Sequence, residues 1–371
     1  MAAERPPYRA DHVGSLLRPP ELLAARERFA NGEISAEELS GEETAAIAAA
    51  VAMQESVGLS SATDGEFRRA SWHMDFIYQL GGVARTEGHL AVSFRNEHET
   101  LSFTPSGLSV EGVVHLEHPI FAEAFTSLAS TVTTATPKLT IPSPSMVHYR
   151  GGRSAIDPEV YPDLDAFWAD LSAAYAAEVA ALAGLGCTYL QFDDTSLAYL
   201  NDPEQRVYIA EQGGDPDHQH EIYIKTINDA IADRPASMSV TTHMCRGNFR
   251  SSWVAEGGYD FVAEALFGDL DVDGFFLEFD DERSGGFEPL RFVAPDKKVV
   301  LGLVTTKHGR LERKADLKRR IDEAARYVPI DQLCLSPQCG FSSTVEGNAL
   351  SYDEEVAKLA LVVEVAEEVW G

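Results

Sequence analysis

Eight short β-type runs alternate with longer helical patterns along this chain, and that alternation limits the fold more than any other feature. The runs span 8–15, 58–66, 137–144, 187–194, 237–245, 274–280, 298–305 and 332–339. Several are continuously apolar, such as VVLGLV and GFFLEF, rather than alternating. Strands buried on both faces read this way, as in a parallel sheet. Helical patterns fill the gaps near 38–58, 164–185, 217–233, 256–268, 311–327 and 353–369, with start signals at Pro162-Asp163 and Ser351-Tyr352-Asp353. The pattern predicts an α/β fold, a (β/α)8 barrel, with a doubly wound open sheet as the alternative. The 371 residues are 44% hydrophobic, enough for one large core, so 1–371 reads as a single barrel.

One segment, about 70–135, breaks the rhythm between the second and third runs. Within it HLAVSFRNEHETLSFTPSGLSVEGVVHLEHP alternates and is punctuated by Pro105-Ser106-Gly107, which predicts antiparallel strands inserted in the barrel. Its histidines, His89, His98, His115 and His118, lack ligand spacing beyond HLEH and read as surface residues. No glycine-rich stretch carries the flanking residues of a phosphate loop.

Charge excludes some partners. Thirty Lys and Arg face fifty-nine Asp and Glu, a net charge of −29. Such a surface repels nucleic acid and anionic membranes. The N-terminal residues hold no apolar signal core and no stretch reaches membrane-spanning length, so a cytoplasmic enzyme is expected. Four scattered cysteines, Cys187, Cys245, Cys334 and Cys339, are too few for a disulfide framework.

In a barrel of this type the chemistry sits where strands end. The residues ending the eight runs are His12/Ser15, Asp64/Glu66, Ser143/Ser145, Asp193/Asp194, His243/Cys245, Glu278/Asp280, Lys307/His308 and Cys339. In a strand, residues two apart point the same way, so His243 and Cys245 can address one point. A lone H-x-C equally fits a buried histidine beside an inert cysteine. Glu278 and Cys339, ending two later runs, convert it into a candidate zinc site of N, S and O ligands. Two thiolates and an imidazole make a poor generator of metal hydroxide, but they suit binding and activating a further thiol for alkyl transfer. Cys187 and Cys334 read as core residues.

Glu66 and Asp193 would be costly in an apolar barrel mouth without a cation. Arg18, Arg68 and Arg246 are candidate internal partners, and a substrate ammonium is the functional alternative. The second reading is a pocket for a zwitterionic amino acid, with Ser15, Arg18, Glu66 and Asp193 as its substrate-site candidates.

At these residues the chain resembles the catalytic domain of the cobalamin-independent methionine synthase family, in particular its short single-barrel members. HVGSLLRP, ATDGEFRR, LQFDD, THMCRGNF, FFLEFDDERSG and LSPQCGF occur in the family's order, from His12 to about Asn348. The resemblance implies a (β/α)8 barrel, zinc on His243, Cys245, Glu278 and Cys339, homocysteine at Ser15, Glu66 and Asp193, and methyl transfer to the zinc-bound thiolate. The long members carry a second, N-terminal barrel and a D-x-H after the seventh strand. Here that stretch reads Thr305-Thr306-Lys307-His308-Gly309. Lys307 stands at the histidine's register and His308 one residue on, so these two are the candidates to assist the leaving group. Lys307, Arg246 and Arg150 are candidate contacts for an anionic donor. The donor stays open among methyltetrahydrofolate, a methylated corrinoid protein and a small methyl compound. The alternatives are a zinc enzyme that opens epoxides with coenzyme M, and a zinc- or thiol-binding protein without turnover.

Overall fold

The structure is a computed structural model that describes residues 5–87, 92–96, 100–103, 107–149 and 151–371. In chain order its strands begin with β1 (Ser61–Ala62), followed by β2 (Leu80–Thr86), β3 (Val92–Arg95), β4 (Thr100–Phe103) and β5 (Gly107–Leu116). Then come β6 (Thr136–Pro137), β7 (Leu139–Pro142), β8 (Tyr189–Asp194), β9 (Ser239–Met244), β10 (Gly274–Glu278), β11 (Lys298–Val304) and β12 (Leu333–Pro337). Strands β7 to β12 form one parallel sheet in sequential order. Every residue of β8, β9 and β10 is buried, which accounts for their continuous apolar character.

The ring closes through fragments rather than full ladders. The first run meets β12 at one bridge, Ala10 to Leu335, flanked by Leu335 N–H to Arg9 O at 2.8 Å and Asp11 N–H to Leu335 O at 3.0 Å. Leu16 N–H reaches Gly65 O at 3.2 Å, and β1 pairs in parallel with β6. Sequential order with the last strand returning to the first is a (β/α)8 barrel and excludes the doubly wound sheet. The first two runs fall short as strands because Gly14, Gly65 and Glu66 have positive φ, at 143°, 64° and 63°. Those values leave the β region and end the ladder.

A buried polar network inside the barrel ties these short runs together. Lys138, from the third run, lies within 3.3 Å of Asp11 and over the rings of Tyr189 and Phe276. Asp11 also accepts from Ser61 Oγ at 2.9 Å and Tyr189 OH at 2.7 Å. Four runs thus share one carboxylate. Removing one partner of such a buried pair typically costs about 3–5 kcal/mol.

Helices surround the sheet. Asp163 caps Leu164–Gly184, and Ser351 caps Tyr352–Trp370 through a capping box with Glu354. The helix expected at 256–268 is shorter, Ala263–Asp269. Its expected start is drawn out of helix because Gly257 O accepts from the buried Arg246 guanidinium at 2.7 and 3.1 Å.

The insertion between the second and third runs folds as expected. Strands β2 and β5 pair antiparallel, as do β3 and β4. His115 and His118 are exposed, while His89 and His98 lie outside the described residues. Strand β3 bridges to the loop after β9, with Arg95 and Trp253 exchanging backbone hydrogen bonds at 2.7 and 2.9 Å. The insertion therefore lies over the mouth at which β9 ends. No helix among the described residues is long and apolar enough to cross a membrane.

Candidate functional site

His243 and Cys245 stand at the end of β9, Glu278 is the last residue of β10, and Cys339 lies just beyond β12. Parallel strands all deliver their C-terminal ends to one mouth, so residues far apart in sequence meet there. One ligand atom from each of these four buried residues lies within 4.8 Å of the others. The two sulfurs are 3.6 Å apart and not bonded. A tetrahedron with zinc–sulfur arms of about 2.3 Å has an S–S edge of about 3.8 Å. Apart from its approach to the Cys339 sulfur, His243 has no hydrogen-bond partner for either ring nitrogen, although both are buried.

The electrostatics also fit a cation. The thiol of Cys245 and the imidazole of His243 hold Cys339 well below the usual thiol range, against the opposing effect of burial. Cys245 is pushed well up by that same neighbour and by burial. Burial, followed by Cys339, pushes Glu278 up. The cluster cannot carry all its negative charges together unless a cation shares them.

Glu278 is held from behind. Its Oε1 accepts from Arg246 N–H at 2.9 Å, its carbonyl from the Arg246 guanidinium at 3.0 Å, and its N–H donates to Tyr259 OH at 2.9 Å. The Arg246 side chain is fully buried and lies 4.3 Å from the Tyr259 ring centre. Gly340, after Cys339, sits where a Cβ would meet Ser15 Oγ at 1.9 Å. That close approach brings the Cys339 turn against the first run, where Phe341 N–H donates to Ser15 O at 2.9 Å.

A cavity of about 340 Å³ opens beside the cluster, and Ser15, Glu66, Asp193, His243, Cys245 and Cys339 all line it. Glu66 Oε1 accepts from Thr140 Oγ1 at 3.0 Å and faces Arg69 at 3.7 Å. Its Oε2 is buried without a partner. Burial and the nearby Asp64 push the Glu66 carboxyl up, against Arg69 and Arg18. Asp193 accepts from Gln191 Nε2 at 2.7 Å. Burial pushes Asp193 up to about 7, partly offset by His243. The left-handed backbone of Glu66 is fixed by its N–H bond to Asp64 Oδ1 at 2.9 Å and by Arg18 on its carbonyl at 3.0 Å. A strained φ held this firmly is characteristic of functional positions.

Other nominated residues lie elsewhere. Arg18 spends its guanidinium on the carbonyls of Glu66, Arg69, Ser342 and Thr344 and does not line the cavity. It ties these carbonyls of the surrounding loops together. Lys307 does not line the cavity either: it pairs with Asp280 at 2.5 Å and Asp281 at 3.4 Å. From there its charge partly opposes the burial that pushes Glu278 up. His308 is exposed and also off the cavity. Arg68 turns to Thr44, Arg246 to Glu278, and Arg150 lies outside the described residues. The cation facing Glu66 is Arg69, one place beyond the residue nominated in DGEFRR. Sequence alone also missed Tyr259, Gln191 and the insertion's share of the cavity wall, Trp72, Tyr78 and Phe94. None of these ends a strand, so the rim rule had no purchase on them.

The cobalamin-independent synthase catalytic-domain family model matches residues 10–368, and the chain belongs to this family. The uncharacterized protein YxjG of Bacillus subtilis is 48% identical over 100% of this chain and 97% of its own length. A Listeria monocytogenes structure described as a vitamin-B12-independent methionine synthase is 39% identical, with a TM-score of 0.79 and 99% of each chain covered. The 5-methyltetrahydropteroyltriglutamate–homocysteine methyltransferase of Bacillus licheniformis is 23% identical over 97% of this chain but only 42% of its own length.

Proposed function

We propose that this protein is a zinc-dependent S-methyltransferase that converts homocysteine to methionine, acting as one catalytic unit in the cytoplasm. The observation that carries the reading is a buried His-Cys-Glu-Cys cluster, three of whose members line a cavity that the carboxyls of Glu66 and Asp193 also line. The name of the Bacillus licheniformis relative and the family's description support it. Zinc held by His243, Cys245, Glu278 and Cys339 would supply a thiol acidified enough to be a nucleophile at neutral pH.

The chain's own residues supply the rest. Glu66 Oε2 and Asp193 receive the substrate ammonium, since both are buried carboxyls that line the cavity and Glu66 Oε2 has no partner in the protein. Thr140, Arg69 and Gln191 hold those carboxyls in place. Ser15 lies where the substrate carboxylate would rest. Arg246 and Tyr259 orient Glu278 from behind, and Lys307 lends it a positive field. Coenzyme M would require cations for its sulfonate, whereas the described lining offers four carboxyls and a single guanidinium, on Arg85.

The test is direct. Zinc-loaded protein is titrated calorimetrically with homocysteine and with coenzyme M, and methionine is assayed after a methyl donor is added. Heat from homocysteine and methionine formation are expected. Tight coenzyme M binding without homocysteine binding would sink the proposal.

A further inference from the structure

Part of the cavity wall is aromatic. Trp72 and Tyr78 enter it from the start of the insertion, Phe94 from β3, and Phe249 from the loop after β9. Phe94 and Phe249 pack with ring centres 5.0 Å apart, and Trp72 lies on the His73 ring at 4.3 Å. Two further carboxyls, Asp75 and Glu346, line the cavity. Aromatic faces edged by carboxyls attract cations, above all methylated onium groups that cannot donate hydrogen bonds. The four lining carboxyls outnumber the one lining guanidinium, Arg85, which lies 5.6 Å from the Tyr78 ring centre, and so disfavour an anionic donor, as does a net charge of −29.

The second observation concerns protons. A neutral tertiary-amine methyl donor leaves as an amide-like anion unless an acid protonates it; Lys307 and His308, nominated for that role, do not line the cavity, and the carboxyls of Glu66 and Asp193, which do, are assigned to the substrate ammonium. An onium donor needs no acid. Its bond from sulfur or nitrogen to methyl breaks, and that electron pair neutralises the donor. The thiolate's electron pair forms the new carbon–sulfur bond. The products are a neutral thioether or tertiary amine and methionine, with no proton transferred.

Resting on the methyltransferase reading above, we infer that the methyl donor is a small sulfonium or quaternary ammonium compound seated against Trp72, Phe94 and Phe249. A cavity of about 340 Å³ is at the small end of ligand sites, so it suits two small molecules together.

Zinc-loaded full-length protein is incubated with homocysteine and, separately, S-methylmethionine, dimethylsulfoniopropionate, trimethylglycine, 5-methyltetrahydrofolate or methylcobalamin. Methionine is expected from one of the onium donors at least tenfold faster than from the last two. The sulfonium and ammonium arms decide between the two heteroatoms. Binding is read without turnover from tryptophan fluorescence of chelator-treated protein titrated with trimethylsulfonium or tetramethylammonium, with Trp72→Phe assigning the signal. Phe94→Leu and Phe249→Leu should each weaken onium binding about 2–30-fold, with the homocysteine dissociation constant unmoved. Turnover with 5-methyltetrahydrofolate or methylcobalamin, without onium binding or reaction, overturns this inference and leaves the methyltransferase reading standing. Failure of homocysteine to bind, read calorimetrically on the same preparation, removes both.

Discussion

Replacing Glu66 by Gln separates substrate recognition from scaffolding. Glu66 Oε1 is committed to Thr140 and Arg69, while Oε2 is buried with no partner in a residue that lines the cavity. Gln keeps the shape, one carbonyl oxygen and the same positive φ, so the fold loses little. It places an amide N–H₂ where an ammonium would sit. A hydrogen bond to a charged group contributes about 1.5–3 kcal/mol, which corresponds to about 12–140-fold in affinity at 1.4 kcal/mol per decade. Asp193 shares the ammonium, so the lower part of that range, about 10–50-fold, is expected. The assay is calorimetry on zinc-loaded protein with homocysteine and with 4-mercaptobutyrate, which lacks only the amino group. Wild type should prefer homocysteine by that factor, and Glu66→Gln should lose most of the preference while binding 4-mercaptobutyrate unchanged. Equal weakening of both ligands would refute the reasoning and leave Glu66 as a support for Arg69 and Thr140.

Other outcomes follow from the same structure. Burial holds Glu355 up to about 8, against its bond from Leu17 N–H, so between 4.5 and 8 the folded state binds the extra proton and stability falls as pH rises. Urea denaturation from pH 5 to pH 7 should show wild type losing about 2.5 kcal/mol more than Glu355→Gln, at about 1.36 kcal/mol for each pH step of one; parallel profiles would contradict the buried carboxyl. Arg246→Lys should weaken zinc binding about 10–100-fold in a chelator competition, because Lys cannot reproduce the guanidinium's simultaneous bonds to Gly257, Tyr259 and Glu278. Chelator treatment should make Cys245 and Cys339 alkylatable by iodoacetamide, since both line the cavity, while Cys187 and Cys334 stay protected in the core. Peptide mass spectrometry reads that difference directly.

Much of the site was legible because barrel topology makes strand ends converge. H-x-C, Glu278 and Cys339 could be assembled from sequence without distances, since each ends a run that patterning alone marks as a buried strand. The cap at Asp163 and the capping box at Ser351 were legible too, because capping is local chemistry. The arginines were not. DGEFRR offers two adjacent guanidiniums, and the left-handed turn at Gly65 and Glu66 decides that Arg69 faces the carboxyl while Arg68 faces Glu43 and Thr44. Lys307 illustrates the same limit. Its register matched a proton donor, but Asp280 and Asp281, from the loop after the neighbouring strand β10, capture it.

Patterning therefore determined the barrel, the place of the insertion and the candidate metal-site residues, because hydrophobic periodicity and strand-end position are properties of the chain itself. Tertiary structure decided which charges meet, which carboxylate oxygen is left unpartnered, and that the insertion supplies an aromatic wall to the cavity. Those outcomes depend on side-chain directions across segments far apart in the chain, which no local sequence signal encodes.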